Sequence, residues 1–87
     1  MEEIYHEDHR EPLLIRGLVR YSDFTPVRGA VVILEKVARV YNEESQKEEY
    51  RESYVNHGLT SPRGEFCFAV TDKRSSYKIK IFDNHHR

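Results

Sequence analysis

The run Thr60-Ser61-Pro62-Arg63-Gly64-Glu65-Phe66-Cys67-Phe68-Ala69-Val70 decides how this chain is read. Ser61 to Gly64 carries the residues of a tight turn, because Pro presets one backbone angle and Gly supplies the positive φ that such turns often need. Immediately after it, Phe66, Phe68 and Val70 alternate with Glu65, Cys67 and Ala69. That two-residue period is the mark of a strand with one buried face, so the two rings and Val70 belong to a core and Cys67 points away from it.

Working outward, the same period recurs on both sides. Upstream, residues 13–21 put Ile15, Gly17, Val19 and Tyr21 on one face and Arg16, Leu18 and Arg20 on the other. Turn formers follow at 22–26, and Gly29 precedes the continuous run Ala30-Val31-Val32-Ile33-Leu34, whose apolarity on both faces predicts a central strand. Alternation through Val37, Val40 and Tyr41 extends it into a hairpin arm. Downstream, 71–76 is a polar loop, and Tyr77, Ile79 and Ile81 alternate with Lys78 and Lys80. The expected main core is Ile15, Val19, Val32, Leu34, Phe66, Phe68, Ile79 and Ile81.

The segment 42–54 reads two ways. Asn42 is a helix-capping residue, Ser45 and Glu48 stand at capping-box spacing, and Tyr50 and Tyr54 share a helical face. A helix here would be polar on nearly every side and gain little from packing. A polar hairpin tip over 43–49 with a strand over 50–60 is the favoured reading, and a short helix near 43–54 is its alternative.

Composition bounds the rest. Eighty-seven residues make one domain, 38% hydrophobic content makes a thin core, and one cysteine excludes an internal disulfide or a cysteine-based zinc cluster. No apolar run approaches a membrane span, and the start Met1-Glu2-Glu3 lacks the basic and apolar regions of a signal peptide. A soluble, cytoplasmic chain is the resulting expectation. The net charge of -1 hides a separation: residues 1–12 sum to -4, residues 43–52 to -3, and the remaining 65 residues to +6. Residues 1–12 therefore read as an acidic flexible arm on a single domain over 13–87.

Four elements in order resemble the transthyretin-like, or carboxypeptidase regulatory-like, β-sandwich family: Gly17-Leu18-Val19, the run Pro26-Val27-Arg28-Gly29-Ala30-Val31-Val32, the stretch from Thr60 to Phe68, and Tyr77 to Ile81. The resemblance covers 13–82 and implies an all-β Greek-key sandwich of about five to seven strands. Arg63 stands where the family's turn usually has Asp. The family also continues for about two further strands beyond the one containing Tyr77, so the resemblance implies an incomplete sandwich. Its enzymatic branch, hydroxyisourate hydrolase, ends in Tyr-Arg-Gly-Ser and carries a His in the first strand, and neither feature is here.

No catalytic spacing, phosphate loop or paired carboxylate motif stands out, and no cofactor is expected. His6, His9, His85 and His86 sit near the two ends, where a preorganised metal site lacks rigid support. Lys36 with Asn84 is a poor pair for the Lys–Asn isopeptide bond of similarly shaped adhesins. Arg16, Arg20, Lys78 and Lys80 alternate outward on the first and last strands and are the candidate edge or partner contacts. The sequence thus points to a non-catalytic protein-interaction or structural module, binding a protein partner or a second copy through open strand edges, a homodimer included. The alternative is a small oligonucleotide-binding β-barrel using a basic outer face. Net charge, absence of Trp and strand order argue against nucleic acid.

Overall fold

A computed structural model describes residues 11–83 of the chain. Among the described residues there are five strands and no helix: β1 (Leu13–Leu18), β2 (Val31–Asn42), β3 (Lys47–Leu59), β4 (Glu65–Val70) and β5 (Ser76–Phe82). They form two antiparallel sheets, one of β1 and β4, the other in the order β3-β2-β5. The sheets face each other as an all-β sandwich. Among the described residues no helix is long and apolar enough to cross a membrane. The arm read over 1–12 lies almost wholly outside the described residues.

The alternation quoted first does what its period requires. Phe68 and Val70 are buried against Val32 and Leu34 of the facing sheet, and Ile15, Phe66, Tyr77 and Ile79 pack partly against this cluster. Val32 and Leu34 are fully buried, each stabilising the fold by ~1.5–3 kcal/mol relative to exposure. Phe66 pairs across the sheet with Gly17, and its ring lies where a Cβ on residue 17 would be, 2.5 Å from that position. Glycine there gives the ring its seat.

The strand read over 13–21 ends at Leu18. Beyond it the chain exchanges β4 for two other partners: Val19 N–H donates to Gly64 O (2.8 Å), and Val27 N–H donates to Val19 O (2.9 Å). Val19 is only half-buried as a result. Gly64 closes this junction with φ at 78°, and a Cβ on it would stand 2.4 Å from Val19 O. The same end is fastened by Thr60, which is buried. Its hydroxyl donates to Val27 O (2.6 Å) and accepts from Ala30 N–H (2.9 Å), while the backbones of Gly29, Ala30 and Thr60 pair beside it.

The segment 42–54 is a hairpin, and the helical alternative is excluded. The turn is only 43–46, and β3 starts at Lys47 rather than at Tyr50. Asn42 Oδ1 accepts from Glu44 N–H (2.9 Å) and Ser45 N–H (3.4 Å), the same two bonds it would make as a helix cap, here serving an Asx turn. Ile81 also departs from expectation. It occupies an inward-facing position on β5 beside Val32, yet it is 45% exposed, because the opposing sheet has only two strands and does not extend over it.

Candidate interaction surface

Four strand edges are open among the described residues, since only β2 has a hydrogen-bonded neighbour on both sides. The side bounded by β1 and β5 differs from the other. On the opposite side β3 and β4 approach each other across the sandwich. Here a hydrogen bond beyond the strands joins the two sides, Tyr21 Oη donating to Asp83 Oδ2 (2.9 Å), which raises the Tyr21 phenol pKa, with slight burial and the Asp83 charge adding to the effect. On these two edge strands, toward opposite ends of the side, the inward-facing Leu13 and Ile81 remain 42% and 45% exposed. Residues whose alternation aims them into a core are thus in contact with solvent along one flank.

The four candidate contact residues do not assemble into one basic face. Arg16 pairs with Cys67 on the outer face of the β1–β4 sheet, beside Leu14 and Leu18. Arg20 lies past the end of β1, in an isolated bridge with Pro26. Lys78 and Lys80 stand on the outer face of the other sheet and are already matched: Lys78 Nζ is 2.7 Å from Glu52, and Lys80 Nζ is 3.1 Å from Glu35 and 3.5 Å from Glu52. Lys78 above all holds the Glu52 carboxyl below its usual range, and Glu35 raises Lys80. Glu35 Oε1 is buried and has this ion pair with Lys80 as its compensation. An anionic polymer would meet lysines neutralised in place and two arginines elsewhere.

Other polar groups serve the fold. Asp72 accepts from Lys36 Nζ (2.8 Å), Ser75 Oγ (2.6 Å) and Arg74 N–H (3.1 Å), fastening the 71–75 loop to β2. Lys36 thus has a carboxylate partner, and Asn84 lies outside the described residues. His57 shares a 2.5 Å hydrogen bond between its Nδ1 and Tyr54 Oη beside a β-bulge. The bulge leaves Val55 without a partner on β2, so that Tyr50, Glu52 and Tyr54 share a face with His57 and Leu59 despite their odd spacing. Cys67 is exposed as its alternation predicts. An open cleft of about 580 Å³ lies beside it, lined by Arg16, Leu18, Leu59, Glu65 and Phe66 among others. Among the described residues no group of three or more His, Cys, Asp or Glu side chains could hold a metal ion, and His6, His9, His85 and His86 fall outside them.

Sequence reasoning missed Thr60 as the buried fastening; it read the hairpin arm past Leu34, with a tip three residues longer than the turn at 43–46. The arm's signal was present in the length of alternation past Leu34. Thr60 carries none that a single Thr before a turn does not always carry. No family model, curated protein or solved structure matches this chain.

Proposed function

We propose that this chain is a non-catalytic protein-interaction module that accepts an extended segment of another chain, or of a second copy, along the side bounded by β1 and β5. The observation that carries the reading is the exposure of the inward-facing Leu13 and Ile81 on two open edge strands. A strand added there gains main-chain hydrogen bonds from the edge and covers apolar side chains already aimed inward. Arg16 on β1 restricts which sequences pair beside it without repulsion, whereas Lys78 and Lys80 on β5 are already matched by Glu52 and Glu35. Kinship with transthyretin-like sandwiches, Greek-key connection included, belongs to the same proposal. It is supported by the work that the resembling residues do: Gly17 under the Phe66 ring, Thr60 bonded to Val27 and Ala30, Gly64 in the turn.

The test is amide exchange along β1 and β5 with mass by light scattering at about 0.5 mM protein, where weak self-association is driven by mass action. Self-pairing or partner binding protects β5 or β1 amides, and Ile81→Asp removes that protection while leaving the melt nearly unchanged. A monomer with fast exchange along both strands, from which the native host yields no partner that slows it, overturns the reading.

A further inference from the structure

β5 accompanies β2 only as far as Val37, opposite Ser76. From Ala38 and Arg51 outward, β2 and β3 pair with each other alone, down to Asn42 and Lys47. One face of this two-stranded ribbon presents Arg39, Tyr41, Glu48 and Tyr50. The Arg39 guanidinium sits 5.7 Å from the centre of the Tyr50 ring, with Nε 3.4 Å from Glu48. Tyr41 and Tyr50 are exposed, and from Ala38 to Arg51 the acids Glu43, Glu44, Glu48 and Glu49 outweigh Arg39, Lys47 and Arg51 by one charge, with Glu43 and Glu44 together at the tip. Exposed tyrosines among carboxylates suit arginine, which stacks on rings and forks onto carboxylates.

The other end of the molecule supplies that chemistry. Val19, Val27, Gly29, Thr60 and Gly64 meet there through backbone hydrogen bonds, and Arg20, Arg28 and Arg63 each sit one residue from that junction. All three are exposed, and none forms an ion pair with a described residue. Asp23, the nearest acid in the 19–30 loop, is committed to Thr25 through its hydroxyl (2.7 Å) and N–H (3.0 Å). Twelve residues of β2 separate the two ends, a span of ~40 Å at strand rise. The ribbon therefore cannot reach its own arginines.

We propose that the ribbon end of one copy docks on the arginine end of a second, so that the chain associates head to tail. Every copy carries both halves of the complementarity, at opposite ends, and such an interface is heterologous: it extends into chains rather than closing into a pair. It uses neither of the edges assigned above to strand addition.

Sedimentation velocity across ionic strength tests this. The full chain forms concentration-dependent species larger than a dimer at low salt and loses them by about 0.5 M NaCl, where the screening length falls to a few ångströms. Glu43→Lys with Glu44→Lys disables the ribbon end, and Arg28→Glu with Arg63→Glu disables the other. Each double variant is monomeric alone with an unshifted melting temperature, an equimolar mixture forms alternating chains because each end of one variant meets its complement on the other, and the fourfold variant, reversed at both ends, forms chains again. A wild type monomeric at low salt, a mixture that stays monomeric, or a fourfold variant that fails to associate overturns the proposal. So does association that survives in both double variants. If that surviving association also slows β5 exchange, it is strand addition, and the two readings separate.

Discussion

The two halves of β2 share one strand and one hairpin partner but differ in everything that covers them. From Val31 to Lys36 the strand lies between β3 and β5, and its inward residues Val32 and Leu34 are sealed by Phe68 and Val70. From Ala38 to Asn42 it has β3 alone, and an isolated two-stranded ribbon is marginal in water. The covered half is held by burial. The bare half is held by local devices: the Asn42 turn, the Arg39–Glu48 pair, and Asn42 Nδ2 donating to Glu49 (3.0 Å). A strand's length in sequence is thus not the length over which it shares the fold's stability.

The comparison breaks if truncation in the covered half is tolerated. Phe68→Ala is expected to cost ~3–5 kcal/mol, most of the stability of a domain this small. The check is denaturant unfolding, and a midpoint near that of the wild type refutes the core assignment. Next in size is Thr60→Val, which keeps the shape of the side chain and leaves Ala30 N–H and Val27 O without their hydroxyl partner. The loss is ~1–3 kcal/mol, with faster exchange of the Ala30 amide as its local sign.

A smaller, pH-dependent effect belongs at the boundary of the two halves, where Asp72 holds Lys36. Lys36 first, then Ser75 and the Arg74 amide, hold the Asp72 carboxyl well below the usual carboxylate range. A depressed folded pKa means that the unfolded chain binds the proton more readily, so the contribution is present above the unfolded carboxyl value of about 4 and is lost as pH falls below it. Asp72→Asn should therefore lower the melting temperature at neutral pH, and the gap to the wild type should close in acid. A gap constant from pH 7 to pH 3 refutes this account of the loop. The smallest effect is expected in the bare half: Tyr50→Ala shifts global stability by less than about 0.5 kcal/mol and raises exchange only between Ala38 and Arg51. A global shift as large as that of Thr60→Val would join the two halves into one cooperative unit.

Much of the covered half was legible in the sequence. Phe66 and Phe68 announce their face by period alone, Val32 and Leu34 announce a central strand by the continuous apolar run they stand in, and Ser61 to Gly64 announces the turn. What period cannot report is coverage. Ile81 alternates as faithfully as Ile79, yet whether an opposing strand reaches it depends on how many strands the other sheet has. Val19 failed for a related reason, since its backbone changes partners at Gly64 and no residue of the first strand encodes that switch. The hairpin stayed ambiguous because Asn42 makes the same local bonds in a helix cap and in an Asx turn. Of the candidate contacts, Arg16, Lys78 and Lys80 were rightly read as outward, but that two of them are neutralised by Glu35 and Glu52 follows from sheet order and bulge position.

The pairing of β1 with β4 also fixes an order of events in time. Leu18 waits for Glu65, 47 positions later, and Leu13 for Val70, 57 positions later, whereas β2 and β3 meet across a four-residue turn. During synthesis the first strand leaves the ribosome long before its partner exists, while the hairpin can close as soon as it emerges. Loop-closure entropy orders refolding the same way, so the long hairpin is the early template and β1 docks last. Ile15→Val is then expected to speed unfolding and leave the refolding rate nearly unchanged in stopped-flow measurements, which makes β1 the strand whose release governs how long the native state lasts.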